Sequence, residues 1–146
     1  MVILSKFAEN LSALMQEHNL KAPALGEILG THRTNITRYQ QGKRLPSYSL
    51  FIKIVEYFNV SADILLGRLD YCDVETFLPA EPFGTTLRRA LNETKTSQYN
   101  LQQNLHYSSA TTTSWLANQR IPTMEHICQL ADYLDVPVDY LLGRIR

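Results

Sequence analysis

The chain has 146 residues, 45% hydrophobic and 19% charged, a globular composition that excludes a disordered chain. Fourteen Lys/Arg balance fourteen Asp/Glu, so net charge gives no global argument for a nucleic-acid partner, and any electrostatic case must be local. No apolar run approaches membrane-span length, Val2-Ile3-Leu4 is too short for a signal h-region, and Cys72 and Cys128 form no CxxC pair. A cytoplasmic protein with free thiols and no membrane partner is expected.

In chain order, Phe7, Leu11, Leu14 and Met15 fall at i, i+4, i+7 and i+8 and predict one apolar helix face. Pro23 suits the first turn of a second helix that carries Leu25, Ile28 and Leu29 and ends at Gly30. A third helix runs from about Arg33 to Gln41, with Ile36 and Tyr39 inward, and stops at Gly42. Pro46-Ser47 opens a fourth, carrying Leu50, Phe51, Ile54, Val55 and Phe58, and Ser61 caps a short fifth with Ile64 and Leu65. Period-two alternation and hairpin signals are missing, so no substantial sheet is expected.

When the chain is slid along itself until Phe7 lies on Phe83, the stretch 7–68 matches 83–144 without a gap. Leu11 falls on Leu87, Leu25 on Leu101, Arg44 on Arg120, Pro46 on Pro122, and Leu65-Leu66-Gly67-Arg68 on Leu141-Leu142-Gly143-Arg144. The expectation is an all-α fold of two tandem domains, 1–68 and 83–146, each of about five short helices. Between them 69–82 holds Asp70, Asp73, Glu75 and Glu81 with no basic residue, and reads as an acidic linker partly packed through Tyr71, Phe77 and Leu78.

The segment from Leu25 to Ser47, with its G-K-R-x-P, resembles the helix-turn-helix core of the XRE (phage repressor and Cro-like) family. The later Phe58-Asn-Val-Ser-Ala-Asp-Ile-Leu-Leu-Gly67 is similar to that family's closing helix, and the resemblance covers both copies. It implies two lambda-repressor-like domains, a bacterial or phage setting, and double-stranded DNA as partner. A helix held by a tight turn can enter the major groove, where base edges carry a full donor and acceptor code.

By position, Arg33, Thr34, Thr37 and Arg38 on the outer face of the third helix are the candidate base readers. Arginine can grip guanine, and threonine can meet a thymine methyl group. The resemblance places Gln41, Lys43 and Arg44 toward phosphates, where they would position the protein without reading sequence. No acidic residue occurs between Glu27 and Glu56, while Arg33, Arg38, Lys43, Arg44 and Lys53 do.

In the second copy, Ser97-Gln98 resembles the family's cap and phosphate-binding glutamine, which the first copy lacks. Its outer face offers Ser109, Ala110, Thr113 and Ser114, with Asn118 and Arg120 near phosphates. His106 replaces the turn glycine, at a cost in the left-handed region, and Thr112 replaces the inward isoleucine, so its hydroxyl needs a partner. Base reading by this copy and a degenerate role in dimerisation both stand.

Elsewhere, the four histidines form no metal-type pair; His32 is placed to meet a phosphate, and His18, His106 and His126 read as surface residues. Trp115 and Cys128 read as core. No nucleophile elbow, P-loop or carboxylate dyad is present, so no catalytic residue, metal, cofactor or small-molecule effector is expected. The expected function is a sequence-specific transcriptional regulator of repressor type, with first copies reading DNA and second copies helping to hold a homodimer. The alternative is a protein-interaction module, antitoxin-like or an anti-repressor partner, with weak or no DNA binding.

Overall fold

The computed structural model describes residues 2–146, and the fold is all-α, with ten helices and no strand among the described residues. The chain divides into two compact units, 1–76 and 77–146. The first contains α1 (Val2–Glu17), α2 (Ala22–Leu29), α3 (Arg33–Gln40), α4 (Tyr48–Phe58) and α5 (Ala62–Leu65). The second contains α6 (Phe83–Glu93), α7 (Gln98–Leu105), α8 (Ser109–Leu116), α9 (Met124–Leu134) and α10 (Val138–Leu141). The displacement that carries Phe7 onto Phe83 also carries both ends of α2, α3, α4 and α5 onto the ends of α7, α8, α9 and α10.

Local chemistry sets these boundaries. Pro23 stands in the first turn of α2, whose N-cap Lys21 contributes no side-chain bond. Ser47 caps α4 by accepting the Leu50 N–H, and Ser61 caps α5 by accepting the Ile64 N–H. Thr123 does the same for α9 through the His126 N–H. Helix ends turn left-handed at Gly30 (φ 74°), Asn59 (φ 52°) and Asp135 (φ 55°).

In the first unit Phe7, Leu11, Met15, Leu25, Ile36, Phe51, Ile54 and Leu65 are buried. The Phe7 ring lies 6.3 Å from Tyr39, edge-on, and 6.1 Å from Phe51. Each such side chain stabilises the unit by roughly 1.5–3 kcal/mol. Ile28, also on α2, is 46% exposed. The buried stripe of α2 is Leu25, Gly26 and Leu29, because Gly26 lets α3 come close on its side and leaves Ile28 on the rim.

The second unit buries Phe83, Leu87, Leu101, Trp115, Met124, Ile127, Cys128 and Leu141. Residues 77–82, within the segment read as a linker, fold onto this unit. The Leu78 N–H donates to the Arg144 carbonyl at 2.8 Å, and the Glu81 N–H to the Leu142 carbonyl at 3.1 Å. The Arg144 guanidinium stands 4.2 Å over the Phe77 ring, and Glu81 takes two hydrogen bonds from Arg89. These bonds and the neighbouring Arg146 hold the Glu81 carboxyl below the usual carboxylate range. Tyr71, in the segment before it, is 77% exposed.

Candidate nucleic-acid interface

The first unit presents α3 on α2 through a turn with four local devices. A methyl group at Gly26 would stand 2.7 Å from the Thr31 carbonyl oxygen, so only glycine permits this approach of turn and helix. Gly30 supplies the left-handed turn at φ 74°. His32 caps α3, its Nδ1 accepting the Thr34 N–H at 3.1 Å. The amide of Asn35 donates to Thr31 Oγ1 at 2.8 Å and braces the turn against the helix.

With Ile36 and Tyr39 buried, α3 has one outward face, and Arg33, Thr34, Thr37 and Arg38 are all exposed on it. The Thr37 hydroxyl donates back to the Arg33 carbonyl at 3.1 Å. Gln41, Lys43 and Arg44 are exposed at the end of α3 and in the following loop. Among the described residues no ion pair engages Arg33, Arg38, Lys43 or Arg44. Burial raises the Tyr39 hydroxyl above its ordinary pKa, against the opposing pull of nearby Arg44. Residues 1–68 carry eight Lys/Arg against five Asp/Glu, so this stretch is net basic although the chain is not.

In the second unit, Ser97 caps α7 by accepting the Asn100 N–H at 3.0 Å, and Ser108 caps α8 through the Thr111 N–H at 3.1 Å. His106 takes the left-handed turn at φ 59°. The buried Thr112 hydroxyl has its partners: it accepts from the amides of Gln98 (3.1 Å) and Gln102, and faces the carbonyls of Ser108 and Ser109. Gln98 also reaches Thr113 Oγ1 at 3.1 Å, so its amide is drawn toward α8. Ser109, Thr113 and Arg120 are exposed and Ser114 is half-buried. Asn118 is exposed as a residue, but its side-chain oxygen accepts the Gly84 N–H at 2.7 Å.

Some structurally decisive residues escaped the sequence reading. Gln102 occupies the place of Gly26 and supplies half of the polar clasp on Thr112. Asp63 with Arg68, and Asp139 with Arg144, close the two units as ion pairs at 3.0 and 2.7 Å. Their signal was present: both copies place the aspartate and the arginine at matching positions of the repeat.

Among the described residues no helix is long and apolar enough to cross a membrane. No curated protein and no solved structure matches the chain. The model of the family described as Helix-turn-helix matches residues 11–65.

Proposed function

We propose that the chain is a sequence-specific transcriptional regulator of repressor type that binds double-stranded DNA as a homodimer in the cytoplasm. In this reading α3 enters the major groove with Arg33, Thr34, Thr37 and Arg38 toward base edges. Gln41, Lys43 and Arg44 hold phosphates. The observation that carries the reading is the exposed face of α3: two arginines and two threonines, held by a glycine-tight turn, in a stretch without acid from 28 to 55. The second unit is a divergent copy of the same plan, supported by the constant offset of every helix from α7 to α10 against α2 to α5. There Gln98, Ser109, Thr113, Ser114, Asn118 and Arg120 make weaker contacts or none, and the unit serves dimerisation.

A second reading, a module that binds protein first, is favoured by one observation. Residues 77–146 carry six Lys/Arg against six Asp/Glu, and α8 exposes hydroxyls in place of cations. Selection of bound sequences from a random duplex pool, followed by salt titration on the winner, separates the two. A regulator enriches a defined site and loses affinity steeply as salt rises. Negligible duplex binding at any salt sinks the DNA-binding reading.

A further inference from the structure

The two units differ most sharply in one place. In the first, a surface cavity of about 310 Å³ opens between the turn before α3 and the start of α4. Thr31, Tyr39, Arg44, Ser47, Ser49 and Lys53 line it, two cations and four hydroxyl-bearing side chains, with no carboxylate in its wall. In the second unit the equivalent space is taken. Tyr107, the repeat counterpart of Thr31, packs edge-on against Trp115 at 4.9 Å and His126 at 5.5 Å. Its hydroxyl donates to the side-chain oxygen of Gln129, which stands where the first unit has Lys53. Glu125 stands where the first unit has Ser49. One unit thus fills this position with an aromatic plug, a neutral amide and an acid, and the other leaves it open, basic and rich in hydroxyls.

We propose that this cavity is a phosphate-binding site in which Lys53, with Arg44 and Ser49, holds one phosphate group. An arginine supplies directed N–H donors and a lysine a mobile point charge, the pairing that suits a compact tetrahedral anion. Among the described residues Lys53 reaches only the Leu29 carbonyl, at 3.5 Å, and no ion pair engages it or Arg44. Because the cavity adjoins α3 and its loop, the phosphate is one of the DNA backbone. That assignment of source rests on the proposed function; a free phosphorylated small molecule shares the chemistry.

The full chain is tested with two variants, Lys53→Gln and Thr31→Tyr, each borrowing the residue of the second unit. On the selected duplex, Lys53→Gln should lower the log-log salt slope by about 1, so its deficit against wild type shrinks about fourfold between roughly 50 and 200 mM salt. Base preference should stay the same. Thr31→Tyr should weaken binding by filling the cavity. In parallel, inorganic phosphate is titrated while amide NMR signals of Thr31, Ser49 and Lys53 are followed. These should move in wild type and not in Lys53→Gln. An unchanged salt slope with a phosphate response would keep the site and assign it to a free ligand. If wild type binds no duplex, the DNA reading fails and the phosphate titration alone decides the cavity. No phosphate response and no change of slope overturns the proposal.

Discussion

The guanidinium of Arg144 meets the carboxylate of Asp139 at 2.7 Å, and both side chains are sealed from solvent, at 1% and 3% exposure. The same pair stands at the matching positions of the first unit as Arg68 and Asp63 at 3.0 Å, with Arg68 at 16%. Each joins a short closing helix to the residue after its terminal glycine. The difference in burial carries a prediction. Asp139→Ala leaves a buried cation unmatched and should cost about 3–5 kcal/mol. Asp63→Ala should cost less, about 1–2 kcal/mol, because Arg68 can turn toward water. Denaturant unfolding followed by circular dichroism measures both; equal losses would remove burial as the cause.

The recognition face is tested by separating readers from holders. Arg33→Ala or Arg38→Ala should cost roughly 1–3 kcal/mol on the selected site and relax preference at one or two base pairs. Lys43→Ala should weaken all duplexes alike and lower the salt slope by about 1. Wild-type affinity in both arginine variants would remove α3 from the groove. A changed base preference in Lys43→Ala would make that lysine a reader.

The turn before each outward helix is tested at Gly26 and His106. Gly26→Ala puts a methyl group 2.7 Å from a backbone oxygen and should destabilise by about 1–3 kcal/mol, displacing α3 and its contacts. His106→Gly should do the reverse. It relieves a left-handed residue at φ 59° and should stabilise by about 1 kcal/mol. Loss of stability in His106→Gly would mean that the imidazole makes a contact outweighing its backbone cost.

The hydroxyl of Tyr140 donates to Glu93, and burial, then this bond and the charge of Glu93, push its pKa up to about 12. The folded value lies above the ordinary value of about 10. The neutral phenol's contribution to stability is therefore complete below about pH 10 and is lost as pH rises toward 12. Absorbance titration of the phenolates should show several tyrosines titrating late, of which the one near 12 disappears in Tyr140→Phe. Unfolding of that variant should depend less on pH across the same window. Titration of all tyrosines near their ordinary value would refute the burial of this group.

Helix order, caps and the left-handed turns were legible in the residues, because each depends on neighbours a few positions away. Ser47, Ser61 and Ser97 cap the helices they precede, and Gly30 and His106 turn the chain where a helix must stop. The face of α3 was legible for the same reason: with Ile36 and Tyr39 inward, helical periodicity alone sends Arg33, Thr34, Thr37 and Arg38 outward. What three-dimensional packing decided lies in contacts between elements. The exposure of Ile28 follows from the approach of α3 at Gly26, which periodicity on α2 cannot register. The partners of Thr112 sit ten and fourteen positions back on α7, and the oxygen of Asn118 turns inward to Gly84, thirty-four positions away. The open cavity beside Lys53 exists because Thr31 is small where Tyr107 is large, and volume becomes visible only when the surrounding helices are in place.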